Sequence, residues 1–295
     1  MNKLTITGYS TALFATWYFI EELGILFDAG DGVTAGLLQK AGKVKQVFIS
    51  HADRDHLTGL LQFNQLNARP GGPVIYYPAD SKSFPAMATF AKQFDPHVTG
   101  IQWLPVTADS EIHIQDDMVV TTVPNGHVPA VPGITKSLGY SVWQVKRKLK
   151  PELQHLAGAE IKKIKDEQGG DAATAEIRRN IISYSGDTPV EDYSRWKDSN
   201  ILIHEATFLS NKADGNIHAH GNKHSMLEEV IHMVSASNVQ HLILGHFSSR
   251  YTNHEIEAAV KQLCNKYALN IPVYCVLPGE VKRHILNTSP VNLIR

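Results

Sequence analysis

The stretch ISHADRDHLTGL, residues 49–60, contains two histidines and two aspartates within six positions: His51, Asp53, Asp55 and His56. Imidazole and carboxylate groups are the protein ligands that suit zinc, manganese and iron. The apolar run VKQVFIS (44–50) before it indicates a buried strand, and HLTGLLQFNQL (56–66) has the spacing of a helix. Because alternate residues of an extended segment point the same way, the first three side chains can share one side, and the fourth turns inward as the helix begins. We therefore interpret the stretch as a strand-to-helix loop that binds metal.

Polar residues also follow predicted strands further along the chain. The positions are His127 in PNGHVP, Asp187 in SYSGDTP, Glu205 in ILIHEAT and His246 in LILGHFSSRY. Each one taken alone is explained as well by a solvated loop or a scattered histidine. Together they favour one site assembled from distant segments, because strand ends are where a rigid scaffold presents loops to a ligand.

The composition is that of a globular protein without a strong overall charge. The chain has 295 residues, 43% hydrophobic and 19% charged, with a formal net charge of −1, so a nucleic-acid partner would need a local basic patch. Cys264 and Cys275 are far from any CxxC spacing, and we expect reduced core thiols in a cytoplasmic protein. No apolar run reaches the roughly 18 residues of a membrane span, so we expect no membrane partner. The start, MNKLTITGYSTALF, is typical of a first strand rather than a signal peptide.

The remaining periodicities predict a mixed α/β protein. Strands are predicted within 1–30 and at 73–78, 100–106, 118–124, 181–187, 201–207, 241–246 and 272–277. Helices are predicted at 32–42, 83–94, 225–237 and 254–267. The polar segment 146–180 interrupts the strand signals. This alternation indicates layered sheets covered by helices.

Several of these motifs resemble those of a known family. HADRDH is similar to the HxHxDH signature of the metallo-β-lactamase superfamily, with Asp53 in place of the second histidine. GDTP, HEATF, KHSMLEEV and HFSSRY resemble, in order, motifs of the tRNase Z family, and GHVPAVPGITKSLGY resembles its third-histidine segment. The segment KRKLKPELQHLAGAEIKKIKDEQGG is similar to that of short-form, plant-type members. The resemblance runs over residues 3–280 and implies a four-layer αββα sandwich of two mixed sheets flanked by helices. It also implies a single domain over 1–295 with a short basic arm or flap at about 145–172.

The resemblance implies roles for the candidate residues. One divalent metal ion would be held by His51, Asp53 and His127, a second by Asp55, His56 and His246, and Asp187 would bridge both. Asp55 would orient an attacking water or take its proton, and Glu205 and His224 would help to protonate the leaving oxygen. Without the resemblance, a structural ion pair for Glu205 and a surface or N-capping position for His224 are the simpler interpretations. The implied activity is endonucleolytic removal of 3′ trailers from tRNA precursors by a homodimer.

Asp53 departs from the family pattern, and three interpretations are open. Asp53 can be a ligand, which would make Mn²⁺ or Fe²⁺ alternatives to the Zn²⁺ otherwise expected. It can be too short, which would leave the first site weak, or the chain can be a homologue without catalysis. An HxDxDH form is known in nuclease-like domains of the superfamily, which favours the first. The stretch TGYSTALFATWYFIE also lacks the Gly-rich loop of the common bacterial form.

A local basic segment supports RNA as the partner. Residues 146–165 contain Lys146, Arg147, Lys148, Lys150, Lys162, Lys163 and Lys165, opposed by Glu152 and Glu160. Such a patch binds phosphate backbones through counterion release, and the corresponding family segment contacts tRNA. A solvated helix, predicted at 159–167, explains the charge alone equally well.

Two other functions stay open from the sequence. One is hydrolysis of a small ester, lactone or cyclic phosphodiester by the same fold. The other is RNA binding without catalysis by a homologue with one occupied metal site. Small-ester hydrolases need neither the basic segment nor the pair of Glu205 and His224, and metal content separates the non-catalytic alternative.

Overall fold

Two mixed β-sheets lie face to face in the computed structural model, which describes residues 4–209 and 223–293. In the first sheet the strands follow chain order: β1 (Ile6–Thr11), β2 (Ala15–Ile20), β3 (Ile25–Phe27), β4 (Gln46–Phe48), β5 (Val74–Pro78) and β6 (Gln102–Val106). Strands β1 to β3 are antiparallel, and β3 to β6 are parallel. The predicted strands of this half are confirmed.

The second sheet has the same division into antiparallel and parallel halves. Its strands are β7 (Glu111–Gln115), β8 (Met118–Pro124), β9 (Leu138–Leu149), β10 (Thr174–Tyr184), β11 (Ile201–Glu205), β12 (His241–Gly245) and β13 (Val273–Cys275). The pairs from β7 to β10 are antiparallel, and those from β10 to β13 are parallel. Strand β7 was not predicted, because its alternating residues are at most half-buried at this edge.

Helices cover the outer face of each sheet. The described helices are α1 (Val33–Leu37), α2 (Arg54–Leu57), α3 (Leu60–Asn67), α4 (Ser83–Phe94), α5 (Gly158–Gln168), α6 (Gly170–Ala173), α7 (Leu227–Ser235) and α8 (Asn253–Lys266). One buried apolar cluster joins α1 to α4 to the first sheet, a second lies between the sheets, and a third joins α7 and α8 to the second sheet. These four layers confirm the predicted αββα class.

The prediction of one continuous helix over 56–66 is wrong, because the helix is interrupted between α2 and α3. Gly59 lies at the break, and a Cβ there would stand 2.3 Å from the carbonyl oxygen of Gly30. A Cβ on Gly30 would stand 2.2 Å from the carbonyl oxygen of Asp55. The two glycines therefore allow the metal-binding loop to pack directly against the end of β3.

The polar segment 146–180 was wrongly predicted to lack strands. The outer halves of β9 and β10 pair as a two-stranded ribbon from Val145 to Arg179, and α5 and α6 connect them. We call residues 145–179 the arm. Its strands are mostly exposed, so they lack the apolar alternation that reveals a strand packed on a core.

Cys264 and Cys275 are both buried and carry free thiols. Across residues 4–209 and 223–293, the helices are too short or too polar to cross a bilayer.

Candidate metal centre

Loops at one edge of the two sheets bring all seven predicted ligands together. His51 follows β4, His127 follows β8, Asp187 follows β10 and His246 follows β12, while Asp53, Asp55 and His56 lie on the loop into α2 and in its first turn. Ligand atoms within 4.8 Å of one another form three trios: His51, His127 and Asp187; Asp55, His56 and His246; and Asp187, His224 and His246. Each trio contains a carboxylate and at least one imidazole, the donor set that suits a divalent transition metal.

Asp187 lies at the centre of this cluster. Its Oδ2 atom is 3.1 Å from Nε2 of His246, 3.2 Å from Nε2 of His56 and 3.7 Å from Nε2 of His51. Burial opposes ionisation, but the surrounding histidines hold the pKa of Asp187 well below its ordinary value. Its contacts with both halves of the cluster suit the bridging position that the resemblance implies.

Asp53 contacts two histidines at the solvent side of the cluster. Its Oδ2 atom is 3.4 Å from Nε2 of His127 and 3.6 Å from Nε2 of His51. The contact with His127 is the largest cause that lowers the pKa of Asp53, and the contact with His51 acts in the same direction. The carboxylate is therefore ionised and reaches the same region as the two imidazoles.

The four histidines present the same ring atom to the centre. Each Nδ1 donates to an acceptor behind it: Ser50 Oγ for His51 (2.9 Å), Asp28 Oδ2 for His56 (2.7 Å), the Lys223 carbonyl for His127 (2.7 Å) and Thr207 Oγ1 for His246 (2.9 Å). We assign these tautomers because Ser50 and Thr207 donate their own hydroxyl protons to carboxylates. Every Nε2 is then left with a lone pair that points into the cluster, as metal-binding histidines require.

The spacing of the ligand atoms fits a bound cation. Bonds of about 2.0–2.1 Å from a tetrahedral zinc ion place its ligand atoms roughly 3.3–3.4 Å apart. The Nε2 atoms of His56 and His246 are 3.3 Å apart, and Asp55 Oδ2 is 3.2 Å from Nε2 of His246. The buried Nε2 of His51 has no hydrogen-bond partner among the described residues. A buried imidazole lone pair that lies beside the carboxylates of Asp53 and Asp187 without a hydrogen-bond partner is suited to bind a cation.

Asp28 supports this arrangement and was missed by the sequence analysis, which predicted only strands within residues 1–30. Its buried carboxylate accepts from the backbone N–H of Ser50 at 2.6 Å, from the Ser50 hydroxyl at 2.8 Å, from His56 Nδ1 and from the hydroxyl of Tyr184. It thereby orients His56 directly and His51 through Ser50. An aspartate immediately after the apolar strand ILF was the available signal, since His51 is placed in the same way.

Glu205 and His224 form a pair at the edge of the metal cluster. His224 Nδ1 lies 3.1 Å from Oε1 of Glu205 and 3.8 Å from Oδ2 of Asp187. Burial lowers the pKa of His224, but the charge of Glu205 outweighs it and raises that pKa to about 9. Burial raises the pKa of Glu205, and the neighbouring imidazole lowers it overall. A charged imidazole is thus held by a buried carboxylate.

A cavity of about 380 Å³ opens above the cluster. Buried Asp55, Asp187 and His246 line its inner part, and exposed Leu13 and Arg250 line its outer part with half-buried Phe208. The other lining residues are Ala12, Asp53, Thr207, His224 and Ser248. His224 is partly exposed to it, whereas Glu205 is buried behind. A substrate in this cavity therefore meets the imidazole and the metal ligands together.

The residues predicted to contact RNA do not line this cavity. Lys146, Arg147 and Lys148 are exposed on the arm part of β9, Lys150 follows that strand, and Lys162 and Lys163 are exposed on α5. Two of the charges are already paired. Arg147 contacts Asp171, and Lys163 is 3.8 Å from Glu167. The arm is therefore less uniformly basic than the sequence suggested.

Known proteins resemble this chain in sequence and in architecture. Residues 24–247 match the family model described as the Beta-lactamase superfamily domain. The chloroplastic tRNase Z TRZ2 of Arabidopsis thaliana is 29% identical over 289 residues, which cover 92% of this chain and 75% of that protein. Ribonuclease Z of Pyrococcus furiosus is 27% identical over 267 residues, with 81% and 82% covered.

Solved structures share the fold at lower identity. The metallo-beta-lactamase fold protein YhfI from Bacillus subtilis superposes with a TM-score of 0.63 at 15% identity, covering 95% of this chain and 100% of that one. The short form of human tRNase Z superposes with a TM-score of 0.58 at 19% identity, covering 83% and 93%. Both carry the same two-sheet sandwich.

Proposed function

The chain belongs to the beta-lactamase superfamily, and from this we propose that it is a metal-dependent endoribonuclease of the tRNase Z type that removes 3′ trailers from tRNA precursors. The relatives in sequence support this choice, since they are named tRNase Z or ribonuclease Z and align with most of this chain. The contact between His224 and Glu205 beside Asp187 carries the proposal. A metal cluster alone suits many kinds of hydrolase, whereas this pair can protonate the leaving 3′-oxygen of RNA.

Two divalent cations held by the seven ligands would supply a nucleophile at neutral pH and positive charge for the phosphoryl oxygens. Zn²⁺ suits the imidazole-rich set, and the carboxylate of Asp53 makes Mn²⁺ or Fe²⁺ alternatives in the first position. Asp55 has a pKa lowered to about 2, because contacts with His246 and His56 outweigh its burial. So acidic a group is a poor proton acceptor, and its role is to orient the attacking water.

The leaving 3′-oxygen of RNA is strongly basic and needs a proton as its bond to phosphorus breaks. His224 can donate that proton from Nε2, because its Nδ1 is engaged by Glu205 and its ring lines the cavity. Glu205 positions the ring and favours its charged form. The exposed lysines of the arm would bind the body of the tRNA at a distance from the cavity. The homodimer expected from the resemblance stays a prediction.

The test compares three substrates with the purified full-length protein. These are a 3′-extended tRNA, bis-p-nitrophenyl phosphate and a lactone, each assayed before and after chelation. We expect metal-dependent cleavage at the 3′ end of the mature tRNA and weaker hydrolysis of the aryl diester. Efficient lactone hydrolysis without RNA cleavage would instead select the small-ester alternative. RNA binding without any hydrolysis would select the non-catalytic one.

A further inference from the structure

The tip of the β1–β2 hairpin places a strained leucine at the mouth of the site cavity. Leu13 has a φ of 71°, its side chain is 68% exposed, and it lines the cavity above the metal cluster. Its backbone N–H donates to Oδ2 of Asp55 at 3.0 Å. The hairpin tip is therefore fixed to the site by its backbone while its side chain projects into open space.

Nothing in residues 4–209 and 223–293 explains why this position carries a leucine side chain. An L-residue at positive φ brings its Cβ close to the following carbonyl, a conformation that glycine adopts without strain. The hydrogen bond to Asp55 needs only the backbone N–H, which glycine also has. A leucine that is mostly exposed gains little from burial. A backbone outlier observed directly at a site, here the positive φ of Leu13, is a reason to propose a function for that residue.

The cavity indicates what the side chain contacts. Its lining contains the apolar side chains of exposed Leu13 and half-buried Phe208, whereas its buried part contains Asp55, Asp187 and His246 of the cluster. The guanidinium of Arg250 lies over the Phe208 ring, 5.8 Å from its centroid. A ligand that uses both regions joins an anionic centre to a flat, weakly polar group. A nucleotide has this composition, and bases pack well against apolar and aromatic side chains.

We propose that Leu13 is a specificity-determining residue that, with Phe208, contacts the nucleobase next to the scissile phosphate. The proposal deepens the proposed function and rests on it, since it assigns the cavity mouth to the base of a nucleotide substrate. Leu13 then acts twice: its N–H holds Asp55, and its side chain discriminates a base-bearing diester from a bare one.

Strain alone does not identify such a residue, and the chain provides a matched control. Leu38 also has a positive φ of 52° and is 63% exposed, but it lies at the end of α1 and does not line the site cavity. Leu38→Gly therefore removes a comparable strain and a comparable side chain elsewhere. Leu13→Gly and Leu13→Ala both remove the side chain at the cavity. The glycine variant also relieves the backbone strain, whereas the alanine variant keeps it.

The experiment is calorimetric titration of the full-length, metal-loaded protein with AMP and with ribose 5-phosphate. We expect the wild type to bind AMP about ten-fold more tightly, the effect of covering roughly half a leucine side chain. Both Leu13 variants lose most of that preference with little change for ribose 5-phosphate, and Leu38→Gly retains it. Leu13→Gly should melt no lower than the wild type.

The opposite results are equally clear. Equal binding of the two ligands by the wild type, or a preference that survives both Leu13 substitutions, overturns the base subsite. A lower melting temperature for Leu13→Gly would show that the side chain serves the fold. Failure of the proposed function is distinguished by the pre-tRNA assay: a wild type that prefers AMP but leaves the trailer uncut has the subsite and acts on another nucleotide.

Discussion

Oδ2 of Asp53 lies 3.4 Å from Nε2 of His127, at the edge of the metal centre that faces solvent. The distance is close to that between two ligands of one tetrahedral ion, roughly 3.3–3.4 Å. The carboxylate is shorter than the imidazole it replaces in the family signature, yet the loop brings it within reach of the same position. This geometry favours Asp53 as a ligand over an aspartate that is too short.

Substitution of Asp53 tests this role. We expect Asp53→Ala to lose one metal ion per chain and most activity, because only two imidazoles and the bridging carboxylate remain in that half. Asp53→His should keep the fold and move the preference from Mn²⁺ toward Zn²⁺. Elemental analysis and metal-dependent rates provide the measurement. Unchanged stoichiometry and rate in Asp53→Ala would exclude Asp53 as a ligand.

The buried carboxylate of Asp28 leads to a second prediction. Asp28→Asn keeps the shape but removes a charge that accepts from Ser50, His56 and Tyr184. We expect about 10–100-fold weaker metal binding and a loss of about 3 kcal/mol in the free energy of unfolding. Metal titration and denaturant unfolding measure the two effects. Asp31→Asn, three residues away and exposed, is the matched control; if it weakened metal binding equally, the effect of Asp28 would be non-specific.

Asp28 also shows where sequence-based inference reached its limit. His51, His127, Asp187 and His246 were predicted because metal-binding residue types follow apolar strands, and this rule needs no knowledge of contacts. The same rule applies to Asp28, but a lone carboxylate after a strand is as typical of a turn as of a site. Only its four hydrogen bonds, which join β3, β4, β10 and the start of α2, distinguish the two, and these depend on the tertiary fold.

The arm shows a second limit of inference from the sequence. Its lysines were noted from the sequence, but its strands were not predicted, since β9 and β10 continue past the core as a ribbon with polar residues on both faces. The partners of Arg147 and Lys163 lie at Asp171 and Glu167, outside the window in which opposing charges were counted. Charge counts along the sequence cannot show which lysines are left for a partner.

The arm gives a third prediction, sharper than the sequence allowed. Lys146 and Lys148 alternate with Arg147 along β9, so they share a face that Arg147 does not. We expect Lys146→Ala with Lys148→Ala to weaken tRNA binding and to reduce the log–log salt slope by about 1.8, at about 0.9 per lost phosphate contact. Arg147→Ala should change both less. Fluorescence anisotropy over a salt series measures this, and hydrolysis of bis-p-nitrophenyl phosphate should stay constant in both the double variant and Arg147→Ala.

The fourth prediction concerns the pH dependence of RNA cleavage. A general acid is active when protonated, so the rate falls as the pH rises through its pKa. The Glu205 charge raises the pKa of His224 to about 9 against the effect of burial, and bound cations will lower it from there. Glu205→Gln removes that charge at nearly constant shape, so the falling limb of the kcat profile should move to lower pH. A limb that stays in place in Glu205→Gln would assign it to another group.

The last prediction separates proton donation from metal binding at His224, which also belongs to a trio of possible ligands with Asp187 and His246. A p-nitrophenolate leaves without a proton, whereas an RNA 3′-oxygen needs one, and general acid catalysis is typically worth about 10²–10⁴ in rate. We therefore expect His224→Ala to slow pre-tRNA cleavage by that factor and to spare bis-p-nitrophenyl phosphate at full metal occupancy. Glu205→Ala should act in the same direction, and the double variant should lose little more than the worse single one, because the two residues act as a unit. His113→Ala, at an exposed position on β7, controls for the loss of an imidazole. Equal slowing on both substrates would remove the acid role. If metal content fell as well, His224 would be a metal ligand. If the rate losses of the two single variants multiplied in the double variant, His224 and Glu205 would act independently.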